Sequence, residues 1–334
     1  MLVVRPASTG DLDVLMELAV LSGRGFTSLP EDEATLAARL ELAEASFAGH
    51  VEPQAAWYTL MLEDGETGRV EGLAGVRAAV GVRRPHFSFR VMTLAQYSSA
   101  IDTRFDHRAL VLVNECNGWT EVGSLYLRPE RRSGGAGSLL ARSRYMLIGA
   151  EPAKFSRTIM AELRGWFDDE GRSPFWEDVA SKFFRLPFEE ADRMVMSTDG
   201  QFILDLAPRH PIYVELIGEE ACAAIERVNR EGEAARALLE REGFEKSGLI
   251  DIFDGGPTMT CPRDTLRTVH EAAVWRVEIG DTSGGEPMLV SRAAVGGFRA
   301  VRADVVLRDG VAVVDGAAAH ALRVGPGEYV RVAG

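Results

Sequence analysis

The stretch "LRPERRSGGAGSLLARSRYML", residues 127–147, joins a strand-like segment to a basic amphipathic helix through a turn of three glycines and one alanine. The segment before it, "TEVGSLYLRP", has the two-residue alternation of a strand and ends at a proline. A glycine-rich turn of this kind presents unpaired backbone N–H groups at the positive end of the helix dipole. Phosphate groups bind at such turns, so the stretch predicts a phosphate-binding loop.

Three known phosphate-binding patterns can be compared with this loop. A P-loop requires a lysine after its last glycine, and none follows here; a Rossmann fingerprint requires glycine or alanine where this chain has Leu140. The pattern R-x-x-G-x-G, formed by Arg132, Gly135 and Gly137, does fit. It resembles the pyrophosphate loop of the Gcn5-related acyltransferases, which use an acyl-coenzyme A donor. An ordinary glycine-rich turn is the alternative that this six-residue pattern leaves open.

The composition describes an acidic chain that is long enough for a full core. Its 334 residues are 46% hydrophobic, and 37 basic against 50 acidic residues give a net charge of −13. Such a charge disfavours contact with a phosphate backbone, so no nucleic-acid partner is expected. A cationic ligand fits the charge, and solubility explains it equally well.

The cysteines and the apolar runs indicate a cytoplasmic protein. Cys116, Cys222 and Cys261 are far apart and form no C-x-x-C pair, which predicts reduced thiols and no metal site. The N-terminus contains Asp11 and Asp13 and lacks the basic-then-apolar order of a signal peptide. No apolar run approaches the roughly 18 residues of a membrane span, so no membrane partner is expected.

Alternating strand and helix signals before residue 210 predict a domain that mixes the two. The strand "LVVRPAS" precedes a helix capped by Thr9 and a second helix that ends at Gly49. Two strand-like runs joined by "GETG" predict a hairpin, "SPFWEDVASKFF" a helix capped by Ser173, and "GQFILDLAP" a strand. Residues 219–244 predict a helix in two pieces, split near Asn229.

Short β-rich runs with glycine-rich turns begin near Trp275 and continue to the end of the chain. The expected fold class is therefore α+β in α/β/α layers: a mixed sheet flanked by helices, as in the Gcn5-related acyltransferases, followed by a small C-terminal all-β subdomain. The expected domains are residues 1–272 for the acyltransferase and residues 273–334 for the β-rich subdomain.

Six blocks of sequence, in their order and spacing, resemble the bacterial arginine N-succinyltransferase family. They are "GFTSLP" (25–30), "LYLRPERRSGGAGSLLARSR" (125–144), "AELRGWFDDEGRSPFW" (161–176), "HPIY" (210–213), "ARALLEREGF" (235–244) and "IDIFDGGPT" (250–258). The last block and "GRSPFW" are the most distinctive, because neither is a generic acyltransferase motif. The resemblance runs from the first strand to the C-terminal β-rich region.

The resemblance implies transfer of a succinyl group from succinyl-coenzyme A to the α-amine of arginine, in arginine breakdown. Succinyl-coenzyme A is then a co-substrate, and no tightly bound cofactor or metal is expected. By the same resemblance, the backbone N–H of Leu125 binds the thioester and its oxyanion. The expected coenzyme ligands at the end of the strand and in the loop are Leu125, Tyr126, Leu127, Arg132, Gly135, Gly137 and Ser138.

Transfer of an acyl group to an amine requires a base and benefits from an acid. Glu121, at the start of the strand, is the candidate base, and a solvated strand-end glutamate is the alternative. The family's proton donor is a histidine, and the matching position here is Asn229, whose amide donates a hydrogen bond but exchanges no proton near pH 7. His210 is the candidate substitute by residue type, and Tyr213 is a further candidate.

Charged residues in the matching blocks are candidate substrate ligands, with a solvated or salt-bridged side chain as the alternative for each. A succinyl carboxylate needs cations and hydrogen-bond donors, and the candidates are Arg24, Arg164, Ser28 and Thr27. The guanidinium group of an arginine substrate needs acids, and the candidates are Glu162, Asp251 and Asp254.

Two other functions stay open at this point. One is a catalytically weak partner subunit of a two-chain arginine or ornithine succinyltransferase, which Asn229 favours. The other is an acyltransferase with a different amine, which the blocks "IDIFDGGPT" and "GFTSLP" argue against. The expected partners are small-molecule substrates, and both a homo-oligomer and a hetero-oligomer with a related subunit remain open.

Overall fold

The computed structural model describes residues 1–23, 29–197 and 201–334. The chain forms two compact units: the first contains residues 1–79, 119–159 and 262–334, and the second contains residues 80–118 and 160–261. The expected division into domains 1–272 and 273–334 stays a prediction.

The described residues form strands and helices whose bounds are as follows. The strands are β1 (Leu2–Pro6), β2 (Trp57–Asp64), β3 (Val70–Arg77), β4 (Ser88–Ser98), β5 (Thr103–Val113), β6 (Thr120–Leu127), β7 (Thr158–Glu162), β8 (Ile212–Tyr213), β9 (Glu245–Ile250), β10 (Pro257–Pro262), β11 (Ala273–Ile279), β12 (Glu286–Arg292), β13 (Ala300–Arg308), β14 (Val311–Val314) and β15 (Tyr329–Ala333). The helices are α1 (Leu12–Ser22), α2 (Glu33–Phe47), α3 (Ala136–Ala150), α4 (Ser181–Phe184), α5 (Phe188–Ser197), α6 (Gln201–Leu206), α7 (Glu219–Ala224), α8 (Glu233–Arg241), α9 (Arg267–Glu271) and α10 (Gly316–Leu322).

The first unit contains an antiparallel sheet of β1, β2, β3 and β6. The predicted hairpin between β2 and β3 is confirmed, with its turn in residues 65–69. Helix α2 packs on β2, and α3 packs on β3 and β6. Apolar side chains of α1, α2 and the sheet form one buried cluster that includes Leu15, Leu36 and Leu73.

The caps of the first two helices follow the sequence with one correction. The predicted cap Thr9 is wrong by one residue: the N–H of Ser8 donates to Asp11 at 2.7 Å, and Thr9 begins the 3-10 turn that leads into α1. In α2, the Asp32 carboxylate accepts the N–H of Thr35 at 2.8 Å. The helix ends just before Gly49, as expected.

The C-terminal strands of the first unit close into a ring in the order β12, β15, β11, β14, β13 and back to β12. Ring closure pairs both edges of each strand, and side chains such as Val277, Val290 and Val330 fill the interior. The expected C-terminal β-rich region is confirmed. It also contains a helix, α10, because Asp315 caps the alanine-rich run that follows by accepting the Ala318 N–H at 2.6 Å.

The second unit is a sheet in the order β7, β10, β9, β4, β5 and β8, packed against a cluster of aromatic side chains. Its longest element is the β4–β5 hairpin, which pairs residues 88–98 with residues 103–113 and which the sequence did not predict. The predicted cap Ser173 is confirmed, since its hydroxyl accepts the N–H of Trp176 at 3.2 Å. The two-piece helix is confirmed as α7 and α8.

The predicted strand "GQFILDLAP" is wrong, because Gln201–Leu206 form α6. Two neighbouring side chains, Phe202 and Ile203, are both buried, which a strand with one solvent-facing side does not allow. Gln201 donates to Asp205 at 3.0 Å, a contact between residues one helical turn apart. An apolar run this short is compatible with either element, and packing against the aromatic cluster selects the helix.

Candidate active site

Strand β6 contains a bulge immediately before the glycine loop. Its register to β3 shifts between Leu73 and Gly75, so that Ser124 and Leu125 together face a single residue. Ser124 has a φ of +50°, in the left-handed region that bulged residues adopt more often than regular strand residues. The alternation expected for this strand is therefore wrong beyond Ser124. The Leu125 amide, the predicted thioester ligand, lies in the bulge, where the ladder to the neighbouring strand is interrupted.

The loop after β6 turns through two left-handed glycines. Gly134 has a φ of +71° and Gly135, the N-cap of α3, a φ of +84°. No side chain caps this end of α3 among the described residues, so the first N–H groups of the helix stay available to a ligand. Gly137 was expected to admit the pyrophosphate together with Gly135, but it is the second residue of the helix, and a Cβ there would make an ordinary contact with Leu127 at 3.5 Å.

Three arginines flank the start of this loop, and two of them are held in ion pairs. Both terminal nitrogens of Arg128 donate to Glu17 at 2.7 Å, and Arg131 lies 3.0 Å from the buried carboxylate of Glu71. Arg132 is exposed, and its Nε donates to a backbone carbonyl of β6 at 3.3 Å. The first two arginines therefore hold the loop against the sheet, and Arg132 has donors available for a phosphate.

A cavity of about 200 Å³ lies against the first turn of α3. Ser138 and Arg142 line it from α3, and Arg302 lines it from β13. Arg302 is exposed, and its Nη1 lies 3.4 Å from the point where a Cβ at Gly135 would stand. The C-terminal ring thus places a guanidinium group beside the glycine turn.

Glu121, the candidate base, opens β6 with 24% of its side chain exposed. It pairs in register with Arg77 of β3, and the carboxylate Oε2 lies 3.9 Å from Nη1 of that arginine. Glu121 and Leu125 are therefore on one strand, four residues apart, and Leu125 is the second residue of the bulge.

In the second unit, the distinctive blocks of the sequence pack against one another. A Cβ at Gly165 would lie 2.2 Å from the carbonyl oxygen of Asp254, and a Cβ at Gly256 would lie 2.1 Å from that of Leu163. The segments "ELRG" and "FDGG" therefore approach as closely as glycine permits. Phe175 of "GRSPFW" packs against the same turn.

The two aspartates of this turn have backbone partners. Asp254 is buried, and its oxygens accept the N–H groups of Gly165 and Gly256, each at 2.8 Å. One oxygen of Asp251 accepts the N–H groups of Phe253 and Asp254 at 2.7 and 2.9 Å. Burial raises the pKa of both carboxyls, and the Asp254 charge raises that of Asp251 further. These contacts hold the loop, and the predicted binding of a substrate guanidinium by either aspartate stays a prediction.

Glu162, the third candidate acid, has 25% of its side chain exposed and lies 2.9 Å from Nε2 of His86. Burial, and then the charge of Glu162, raise the pKa of the Cys116 thiol to about 12. Arg164 stacks on the ring of Phe167 at 4.2 Å, and among the described residues its buried Nε has no hydrogen-bond partner. Glu162 and Arg164 thus present an acid and a cation two residues apart.

The candidate proton-transfer residues lie in different surroundings. The Asn229 side chain accepts the N–H of Glu231 at 3.0 Å and so caps a 3-10 turn. His210 is exposed, and Tyr213 packs edge-on against His107 with ring centroids 5.7 Å apart. The roles predicted for these residues stay predictions. Arg24, Thr27 and Ser28 lie outside the residues that the structure describes.

Two residues near these groups escaped the sequence analysis. His86 lies far from any matching block, and its pairing with Glu162 depends on the β4 strand. Arg302 lies in the C-terminal ring, 167 residues after the glycine that it approaches. Neither has a local signal, because both are brought to their positions by long-range strand pairing.

A bulged strand that leads through R-x-x-G-x-G into the N-terminus of a helix defines the first unit as that of an acyltransferase that uses an acyl-coenzyme A donor. Residues 2–268 match the family model of the arginine N-succinyltransferase beta subunit, and residues 272–334 match that of its C-terminal domain. The chain belongs to this family of acyltransferases. The predicted family and fold class are therefore confirmed.

Individual relatives agree with this assignment over the whole chain. Arginine N-succinyltransferases from Salmonella paratyphi B and Salmonella typhimurium are each 39% identical over 336 residues, which cover 99% of this chain and 97% of the relative. The structure of arginine/ornithine succinyltransferase subunit AI from Pseudomonas aeruginosa is 33% identical, with a TM-score of 0.90, and covers 99% of this chain and 98% of that chain.

Among the described residues, no helix is both long and apolar enough to span a membrane.

Proposed function

We propose that this chain is an arginine N-succinyltransferase that transfers the succinyl group of succinyl-coenzyme A to the α-amine of L-arginine. One observation carries the proposal: the Ser124–Leu125 bulge and the left-handed turn at Gly134 and Gly135 occur together in a chain 39% identical to arginine N-succinyltransferases over nearly its full length. The bulge supplies a backbone donor for an acyl group, and the turn supplies donors for a pyrophosphate.

Coenzyme binding falls to the strand, the loop and the first turn of α3. The pyrophosphate accepts the free N–H groups at the start of α3, where the Gly134–Gly135 turn lets the backbone approach. Arg132 in the loop and Arg302 beside Gly135 add positive charge near this turn. Beside them, Tyr126 and Leu127 are buried and fix the end of β6.

The transfer itself uses groups of β6. The thioester carbonyl oxygen accepts the Leu125 N–H and becomes the oxyanion when the amine attacks. Glu121, directly or through a water, takes the proton that the ammonium must lose. The new C–N bond forms, the C–S bond breaks, and the coenzyme leaves as a thiolate that then takes up a proton. His210, exposed beside a proline, is the residue we test first as donor.

Recognition of the amine substrate falls to Glu162 and Arg164. Glu162 is partly exposed, so its carboxylate can form two hydrogen bonds with a guanidinium group. The carboxylates of Asp251 and Asp254 instead accept backbone N–H groups of the loop that positions Gly165. Arg164, which the sequence predicts as a ligand of the succinyl carboxylate, lies two residues away, and its guanidinium group can donate to a carboxylate of either substrate. Arg24 and Ser28 remain candidates for the succinyl carboxylate on the resemblance alone.

The test is release of free thiol from succinyl-coenzyme A by the purified chain, with arginine, ornithine or no amine. Arginine-dependent release is the expected result. Glu121→Gln is expected to lower kcat about 100-fold or more, the usual contribution of a positioned base. His210→Ala is expected to lower it only if His210 is the donor. Turnover that does not depend on either amine would refute the proposal.

A second candidate function follows from Asn229. Its side-chain oxygen is used as a cap, and an amide cannot transfer a proton, which favours a catalytically weak subunit that needs a related chain. The Pseudomonas aeruginosa relative is itself described as a subunit. Coenzyme binding without turnover on either amine would favour this function over a stand-alone enzyme. A cytoplasmic location and the oligomeric state stay predictions.

A further inference from the structure

Two guanidinium groups flank one indole ring beside the candidate base. Trp57 of β2 pairs in register with Arg77 of β3, and Arg77 pairs in register with Glu121 of β6, so the three side chains share one face of the sheet. Arg39 of α2 reaches the same ring: its guanidinium carbon lies 4.5 Å from the Trp57 ring centroid, and that of Arg77 lies 5.1 Å away. Four residues from three strands and a helix therefore form one cluster, which we call the Trp57 cluster.

Arg77 is the accessible member of this cluster. Its side chain is 42% exposed, and the 3.9 Å that separates it from Glu121 is too long for a hydrogen bond. Among the described residues, the Arg77 guanidinium group forms this loose ion pair with Glu121 and stacks on the Trp57 ring. A guanidinium group has five N–H donors in a planar fork that fits a carboxylate, so Arg77 presents an unused fork next to the base.

Arg39 contacts the Trp57 ring and adds a second positive charge to the cluster. It is buried, with 6% of its surface exposed, and burial followed by the positive charge of Arg77 lowers its pKa to about 10. Two cations close enough to lower a pKa favour an anion between or beside them. Because the ring is stacked against both arginines, the fork of Arg77 is pre-oriented rather than free to sweep through solvent.

Two glycines next to Arg77 let neighbouring side chains lie close to the strands. Gly75 and Gly123 pair with each other two residues along β3 and β6 from the Arg77–Glu121 pair. A Cβ at Gly75 would stand 3.4 Å from both the Trp57 indole nitrogen and the Ser124 hydroxyl, and one at Gly123 would stand 3.4 Å from the Glu121 carboxylate. The indole of Trp57 and the carboxylate of Glu121 therefore lie close to β3 and β6 between the bulge and Arg77.

We infer that Arg77, oriented by Trp57 and Arg39, binds the free carboxylate of a substrate. The inference rests on the proposed function, whose two substrates each carry such a group: the far end of the succinyl chain and the α-carboxylate of the amino acid. Either group is anionic, planar and able to accept both N–H groups on one side of the fork. Arg77 faces Glu121, which lies four residues from the Leu125 amide on the same strand, so Arg77 is near enough to contact a substrate that is bound at that amide.

The test uses the full-length chain with Arg77→Gln, Arg77→Lys and the control Arg308→Gln, an exposed arginine at the end of β13. The donor arm compares kcat/KM for succinyl-coenzyme A and butyryl-coenzyme A, which has the same chain length but no carboxylate. The acceptor arm compares arginine with agmatine, which lacks the α-carboxylate. Calorimetric Kd values for the same four compounds give both ratios without turnover.

Arg77→Gln is expected to reduce one of the two preferences about 10- to 100-fold, as expected for a lost hydrogen bond to a charged group. Loss in the donor arm assigns Arg77 to the succinyl carboxylate, and loss in the acceptor arm assigns it to the amino acid. Arg77→Lys keeps the positive charge without the planar fork, and its loss of preference is expected to be smaller. It also replaces the glutamine variant if that variant does not fold. Arg308→Gln is expected to keep both preferences.

Unchanged preferences in both arms for the Arg77 variants would overturn the inference, whatever the absolute rates. An inactive wild-type chain would instead refute the proposed function, and the Kd ratios would still decide the role of Arg77. The two failures are therefore distinguishable.

Discussion

Replacing Asp254 by alanine tests whether its carboxyl holds the "IDIFDGGPT" loop or binds a ligand. The side chain is 7% exposed, and its oxygens accept the N–H groups of Gly165 and Gly256, each at 2.8 Å. Asp254→Ala leaves both buried donors without an acceptor, at about 1–3 kcal/mol each, or about 2–6 kcal/mol together. At roughly 2 °C per kcal/mol for a chain of this size, Tm is expected to fall by about 4–12 °C.

The assay is thermal unfolding followed by circular dichroism with no substrate present, together with the KM for arginine. Asp169→Ala is the matched control, because this aspartate belongs to the same unit and is 77% exposed, so its removal is expected to cost less than about 0.5 kcal/mol. Glu162→Gln is expected to leave Tm near that of the wild type and to raise the KM for arginine, since it removes the charge that pairs with a guanidinium group.

A Tm of Asp254→Ala equal to that of the wild type, with a raised KM for arginine, would refute the structural role. Asp254 would then act on the substrate, as the sequence alone had predicted. A lowered Tm with a KM close to the wild-type value would assign the carboxyl to the loop.

Three further predictions follow from local geometry. Gly135→Ala places a side chain on a residue with a φ of +84° and in contact with Arg302. The Kd of this variant for coenzyme A, measured by calorimetry, is therefore expected to rise at least tenfold. Gly137→Ala, within the helix, is expected to keep a Kd close to that of the wild type. Asp251→Asn keeps the acceptor oxygen and removes a carboxyl whose pKa is raised in the native state. Because the stability that such a carboxyl contributes is lost as pH rises through its folded pKa, the free energy of unfolding of the variant in urea should rise relative to that of the wild type from pH 4 to pH 8. A difference that stays constant with pH would contradict this. Cys116, buried and with a pKa of about 12, should resist iodoacetamide at pH 8 until the chain is unfolded, as mass spectrometry of the labelled peptide will show.

The features that the sequence predicted correctly depend on neighbouring residues. The confirmed cap Ser173 acts within one helical turn, and the glycine turn before α3 is specified by the residues that form it. The β2–β3 hairpin is likewise local. The family blocks also indicate contacts between distant segments, because glycines such as Gly165 and Gly256 are required only where two such segments touch.

The features that the sequence missed depend on partners that are distant in the chain. "GQFILDLAP" is apolar enough for a strand or a helix, and the aromatic cluster of the second unit decides it. Nothing in "TEVGSLYLRP" reveals that its register slips at Ser124, since a bulge is defined against the strand beside it. Arg77 belongs to no matching block and gains its meaning from Trp57 and Glu121, which pair with it across the sheet.

Asn229 bears most directly on whether a chain of this family turns over by itself. Its side-chain oxygen accepts the Glu231 N–H, and its amide nitrogen can donate a hydrogen bond but cannot transfer a proton near pH 7. A thiol with a pKa of about 8.5 is mostly protonated at pH 7.5, because taking a proton from solvent is then favourable by about 1.4 kcal/mol. The proton is needed only as the C–S bond breaks, and a positioned acid contributes about 10²- to 10⁴-fold to such a step. Under the proposed function, the lack of an acid at Asn229 slows the reaction without forbidding it, so a slow rate that still depends on arginine is the result that separates the proposed enzyme from an inert subunit.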